Sequence, residues 1–322
     1  MNKLLHISTA PHIHCGRSTS DIMRDVVVAL VPVAGAGIMI FGLRAILVIA
    51  ACVASCVCFE ALFNRVAKKE QTIGDYSAVI TGLILALSLP VDVPVWQCVI
   101  GSAFAIIVVK CLFGGLGYNV VNPAVTAKVF MLVSFAASVN KSAEAALDKV
   151  VPGVNTLESI SAGGSIDFKA LLLGTHDGAI GETCVIALLW GLLYLLISDV
   201  ITWHIPVTFV GSVFVFSFLM EGDAARALAL TLSGGLLLGA IFMATDYVTS
   251  PSTAWGKVVF GIGAGLLTFL IRFAGVPVEV DGDMTTFGSY SEGVAFAILI
   301  MNILTPYIDK FTAHKVFGGK KA

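Results

Sequence analysis

The sequence predicts an all-α membrane protein of about ten transmembrane helices built around an inverted repeat. Three observations predict it. The 322 residues are 57% hydrophobic and only 12% charged, with a mean hydropathy of +0.95. A soluble domain carries about 25% charged residues, so too little polar sequence is present to coat a soluble core. Apolar stretches recur along the chain, and a bilayer needs about 17–25 such residues per helical crossing. Basic residues gather in alternate loops, as membrane insertion requires.

The predicted spans are Asp25–Leu43, Ala45–Phe63, Tyr76–Leu89, Trp96–Phe113, Val120–Ser138, Ala179–Ile197, Val200–Met220, Leu228–Tyr247, Val258–Phe273 and Gly293–Ile308. The third is short, and Pro90 and Pro94 break the chain after it. A proline lacks the amide proton that a helix interior uses. Four segments follow from this reading. Residues 1–24 form an N-terminal arm, 25–138 a first block of spans, 139–178 a polar outer loop, and 179–322 a second block with a tail. The arm is polar for too long to be a secretory signal.

Orientation follows from Lys and Arg. Lys3, Arg17 and Arg24 precede the first span, Arg65, Lys68 and Lys69 fill the second loop, and Lys257, Lys310, Lys315, Lys320 and Lys321 lie in later odd-side segments. With ten spans these all fall on the cytoplasmic side, so both termini lie inside. The opposite loops hold Asp92, Glu144, Asp148, Glu158, Asp167, Asp177, Glu221, Asp223, Glu279, Asp281 and Asp283. A multi-pass chain in the bacterial cytoplasmic membrane, in contact with lipid, fits this pattern. No basic stripe points to nucleic acid.

Thr81–Gly117 is similar to Ser233–Gly275. Each is a Gly-led span, a Pro-bearing turn, and a Gly-rich span that ends in a basic residue and glycine. The first copy starts inside and the second outside. That is an inverted-topology repeat, a plan that places sites where broken spans meet near the midplane. Gly234, Gly235, Gly261, Gly263 and Gly265 suit close helix packing.

Ionisable residues within spans are functional candidates. Asp246, in ATDYVTSP, ends the eighth span at a Ser-Pro turn and is a candidate on the ion path. Glu60, Asp199, Lys110, Lys128 and Arg272 sit near span ends, where snorkelling or capping is the ordinary role. Asn119 and Asn122, in GGLGYNVVNPA, mark an Asn-Pro break whose freed carbonyls must line a cavity or find partners. Cys52, Cys56 and Cys58 read as small apolar helix residues, since no fourth metal ligand lies near. His12, His14 and Cys15 are a weak metal motif, and no metal site is expected.

The outer loop is about forty residues long, and loops of that length are commonly functional. The segments SxxPHIHxxxSTSDIM, GGLGYNVVNPA, WHIP and EGVAFAILIMNILTPYIDKFT resemble the family that holds the D subunit of the Rnf complex and the B subunit of the sodium-pumping quinone reductase. The resemblance runs along nearly the whole chain. It implies a urea-transporter-like fold of two inverted five-helix halves. It also implies a place in a complex that moves electrons from reduced ferredoxin to NAD and pumps sodium ions or protons. Expected partners are the A, B, C, E and G components of the Rnf complex, and a flavin transferase for maturation.

In that family the outer loop carries FMN on a threonine through a phosphoester. By order and spacing Thr156, in Gly153-Val154-Asn155-Thr156-Leu157, falls on that position, with Asn155 where the family has alanine. The Gly-x-x-Gly-Glu turn of the family falls on Gly178, Gly181, Glu182 and Thr183, which the resemblance makes cofactor-binding. Free amides and the helix-start dipole at such a turn favour an anion such as phosphate. The plainer role of the turn is a helix cap, with Asp177 or Thr183 as the capping residue. A second, non-covalent flavin such as riboflavin between the halves is compatible with the resemblance.

The chain shows no Fe–S or nucleotide motif, so electrons must come from and go to partner chains. It has no catalytic residues of its own and is expected to work as one component of an ion-translocating oxidoreductase. The other reading of the same spans is a stand-alone channel or carrier for a small polar solute. The long outer loop weighs against that reading.

Overall fold

The computed structural model describes residues 17–139, 160, 166–176, 178–273, 276–280, 283–287 and 293–313. Thr156 and Asp177 lie outside them. The first helix, α1 (Thr19–Phe41), starts at a reciprocal cap: Ser18 Oγ accepts from the Asp21 amide, and the Asp21 carboxylate accepts from the Ser18 amide. Such a box satisfies donors that a helix start leaves free. Gly42 adopts φ +68° and hands the chain directly to α2 (Leu43–Val66).

α3 (Ser77–Leu87) has only eleven residues. At 1.5 Å per residue it covers about 16 Å, roughly half a hydrocarbon core. The turn with Pro90 and Pro94 follows, and α4 starts at Val95. It runs to Ala103 and continues as a π-helical stretch, Phe104–Cys111. α5 (Pro123–Ser134) has Pro123 in its first turn, and Asn122 caps it by accepting from the amides of Ala124 and Val125.

The segment between the two blocks contains α6 (Phe168–Leu173), capped by Asp167. Ile160 and Leu171 pack there against Ala229 and Leu230. The second block holds α7 (Val185–Ile197), α8 (His204–Glu221), α9 (Ala224–Leu232), α10 (Leu236–Met243), α11 (Ala254–Phe273) and α12 (Gly293–Thr312). Asp223 caps α9. α9 and α10 are bent by 63° at residues 233–235, where Gly234 takes φ +69°.

Every predicted span coincides with helix, but the lengths differ from expectation. Among the described residues five helices, α1, α2, α8, α11 and α12, are long and apolar enough to cross a bilayer, and the bent α9–α10 pair makes a sixth. α3, α4, α5 and α7 are shorter apolar helices. The span expected from Ala179 starts at Val185, because residues 178–184 form a docked turn. A second departure is an antiparallel hairpin, β1 (Val276–Val280) with β2 (Asp283–Phe287), where sequence alone predicts only loop.

One apolar core joins both blocks, with Leu30, Leu85 and Val125 of the first packed with Leu188, Leu236 and Ile298 of the second. The outside is also apolar: Met39, Leu43, Ile197, Leu219 and Phe311 are each more than 70% exposed. Such a surface belongs in lipid. Small residues permit the tightest contacts. A Cβ at Gly82 of α3 would lie 2.7 Å from Val53 Cα of α2, whereas one at Gly35 of α1 would meet nothing within 4 Å. Gly82→Val therefore costs about 1–3 kcal/mol by overpacking. Gly35→Ala raises stability by about 0.5–1 kcal/mol through helix propensity. Thermal unfolding in detergent checks both signs, and equal Tm values for the two variants would contradict the packing.

Candidate functional site

Two polar regions lie where the blocks meet. The first is a cavity of about 90 Å³, on the side where α1 begins. Met23 near the start of α1, Ser77 at the start of α3, Lys110 in the last turn of α4 and Leu195 near the end of α7 all border it. Asn119, Asn122 and Asp246 line the same cavity. The Asn-Pro break thus does what its chemistry requires. Asn122 caps α5 with its side-chain oxygen, and its Nδ2 donates to the Met243 carbonyl at 3.1 Å across the interface. That carbonyl belongs to the π-helical end of α10. Asp246 follows, half-buried, and accepts from Thr249 Oγ1 at 3.1 Å.

Lys110 corrects an expectation. It does not snorkel. It is 2% exposed and pairs with Glu60 at 2.7 Å, while donating to Ser77 Oγ at 2.6 Å. Thr72 Oγ1 also donates to Glu60, at 2.6 Å. The start of α3 and the loop before it thus supply Ser77 and Thr72 to the pair at the end of α4. Glu60, Asn64 and Thr72 also border a second cavity of about 380 Å³.

The second region is the Gly178–Thr183 turn, and none of its residues lines the first cavity. A Cβ at Gly178 would meet Thr183 Cγ2 at 3.0 Å, so these two residues are in contact. The expectation of free amides fails for the middle of the turn. Ile180 N–H donates to the Leu89 carbonyl at 3.1 Å, Gly181 N–H to Leu87 at 2.7 Å, and Glu182 N–H to Ala179 at 3.1 Å. The broken end of α3 takes the first two of these donors because its own carbonyls lack helical partners.

Glu182 points inward. It is 5% exposed and pairs at 3.1 Å with Lys128 of α5. Lys128 and Arg272 are each 2% exposed, so neither snorkels. Arg272 does stand in the last turn of α11, whereas Lys128 lies in the middle of α5. Arg272 donates to the Leu230 carbonyl in the last turn of α9. Thr183 is fully buried, and its Oγ1 has no hydrogen-bond partner among the described residues. It stands beside the start of α7, whose cap residue Cys184 makes no side-chain cap bond. His176 Nε2 contacts the Thr183 carbonyl at 3.2 Å. The place in this turn that suits an anion is therefore the Thr183 hydroxyl with the uncapped first turn of α7.

An apolar exterior, broken helices and buried ion pairs at the meeting of two helical blocks define a polytopic membrane protein with polar machinery inside. The chain belongs to the NQR2, RnfD, RnfE family, whose model matches residues 6–318. It is 39% identical to the D component of the Na(+)-translocating ferredoxin:NAD(+) oxidoreductase complex of Acetobacterium woodii, over 100% of this chain and 98% of that protein. It is 38% identical to the D component of the proton-translocating ferredoxin:NAD(+) oxidoreductase complex of Clostridium ljungdahlii, over 98% and 96%. The D component of the ion-translocating oxidoreductase complex of Vibrio atlanticus is 33% identical, over 97% and 99%.

The buried pair near the first cavity sets one expectation. Lys110→Met leaves the Glu60 carboxylate buried without its ammonium partner, which costs about 3–5 kcal/mol. Lys110→Met combined with Glu60→Gln recovers most of that loss. Thermal unfolding of the three proteins reads the result, and a single variant as stable as the double would contradict the pairing.

Proposed function

We propose that this chain is the D subunit of an Rnf-type complex that couples electron transfer between ferredoxin and NAD to translocation of sodium ions or protons. Its full-length similarity to three proteins of that role supports this most directly. In this reading it crosses the bacterial cytoplasmic membrane about ten times, as two inverted five-helix halves with both termini inside. It works with the A, B, C, E and G components.

FMN is joined to Thr156 through a phosphoester by a flavin transferase, which prevents loss of the cofactor between electron steps. When bound, the flavin supplies one-electron chemistry that no side chain of this chain offers. Two features of the turn suit that assignment. Thr183 Oγ1 is buried without a partner among the described residues, and the adjacent start of α7 has no side-chain cap. Gly178 lets the chain fold onto Thr183. Gly181 could carry no side chain, since a Cβ there would lie 2.6 Å from Leu87 Cβ. Glu182 supports the turn from below through Lys128.

A second, unattached flavin such as riboflavin between the halves belongs to this reading through the family resemblance. The first cavity, about 90 Å³, is smaller than ordinary small-molecule sites of about 300–1,000 Å³ and would have to widen to admit it. Asp246, on the wall of that cavity, is the ion-path residue of this reading.

The tryptic peptide Val150–Lys169 is expected to carry the mass of FMN less one water. Thr156→Ala abolishes in-gel flavin fluorescence, and Thr183→Ala keeps it. Covalent flavin that survives Thr156→Ala and vanishes in Thr183→Ala would reverse the two roles. Asp246→Asn lowers ion uptake in vesicles while the covalent flavin stays at the wild-type level. Unchanged uptake would return Asp246 to the role of a helix-end cap.

A further inference from the structure

We infer that Lys128 and Glu182 form a switchable ion pair that gates a monovalent cation at the break between α9 and α10. The inference rests on the reading of this chain as part of an ion-translocating complex, and it adds a site to that reading.

Nine residues of α9 separate the break from the cap at Asp223, about 13 Å along the helix axis at 1.5 Å per residue. Broken helices in membrane carriers offer backbone oxygens to cations. Glu182 is pressed against this break. A Cβ on Gly235 would lie 2.5 Å from Glu182 Oε1, so glycine is what admits the carboxylate. The next residue back, Gly234, borders Arg272, 3.3 Å from where its Cβ would stand. Lys128 reaches Glu182 from the other block, at 3.1 Å. Among the described residues, Lys128 from α5 pairs with the carboxylate, and Arg272 from α11 borders the adjacent glycine. His176 contacts the residue that follows Glu182.

The pair therefore spans the interface between the blocks at the point where one block is already bent. A buried ion pair adds little net stability, yet removal of one charge is expensive. That asymmetry makes it a switch. A proton taken up on the Glu182 carboxylate, or a sodium ion bound to it, cancels the negative charge that Lys128 faces. The attraction between the two blocks at this point is then lost, and the bend at residues 233–235 lets α10 move. Loss of the cation restores the pair and closes the break. No electron or covalent bond between heavy atoms is involved in this step.

Intact complexes with Lys128→Met, Glu182→Gln and both together are reconstituted in vesicles. Ions moved per electron pair from ferredoxin to NAD are measured in two arms: radioactive sodium uptake in sodium buffer, and proton uptake in sodium-free buffer. The double variant removes both charges of the pair together. Its ratio is expected to fall at least about fivefold, the lower end of ordinary coupling between sites, in the arm that matches the pumped ion. Lys128→Arg keeps the ratio. A double variant with the wild-type ratio in both arms would overturn the proposal and leave the pair a packing element. Should the double variant not assemble, Gly235→Ala decides, because its methyl group displaces the carboxylate: a lowered ratio supports the switch, and an unchanged one overturns it. Covalent flavin and electron flux are scored in each variant; wild-type complexes that move ions with no flavin on Thr156 would defeat the flavin assignment alone, since the ratio is counted per electron pair.

Discussion

The hydrogen bonds from Ile180 and Gly181 to the carbonyls of Leu89 and Leu87 hold the molecule together at its weakest point. α3 stops after eleven residues, and the chain turns through two prolines. Helix ends leave carbonyls without partners, and lipid offers none in return. The turn before α7 supplies the missing donors. That is why α7 starts at Val185 rather than at Ala179, where hydropathy places it, and why position 181 admits no side chain. The reverse contact, from Asn122 to the Met243 carbonyl, does the same for the end of α10. Each block thus satisfies a broken helix of the other.

The buried charges follow from this arrangement. Lys110–Glu60 closes the α1-start side of the first block, and Lys128–Glu182 joins the two blocks. Neither is an efficient source of stability, since desolvation of both partners consumes most of the attraction. Their positions are informative instead. Lys110 borders the first cavity, and Glu182 abuts the glycine break of α9–α10. A membrane chain that carries such groups in its interior uses them or hydrates them.

Much of this is legible in the sequence. Hydropathy locates every helix of the two blocks. The Asn-Pro break at Asn122 and the helix-end Asp246 both line the interface cavity, as their costs in lipid imply. Other features are hidden. Lys110, Lys128 and Arg272 look like span-end cations because one-dimensional position does not show which helix ends are covered. Their partners are 50, 54 and 42 residues distant in the chain. The Gly178–Thr183 turn looks like a ring of free amides, since nothing local reveals that the end of α3 takes two of them. The hairpin at Val276–Phe287 escapes a reading by span hydropathy, although the alternating Val276, Val278 and Val280 followed by Asp281-Gly282 are a two-residue hairpin signal. Thr156 rests on family resemblance alone.

The account depends on two blocks inserted in opposite senses, each completing the other's broken helix. Single cysteines placed in turn at Lys69, at Thr202 and at Asp223, in a chain with its native cysteines replaced, test this directly. Membrane-impermeant thiol reagent applied to right-side-out and inverted vesicles reads the side of each. The account predicts that positions 69 and 202 label only from the cytoplasmic face and position 223 only from the outer face. Labelling of positions 69 and 223 from the same face would contradict it.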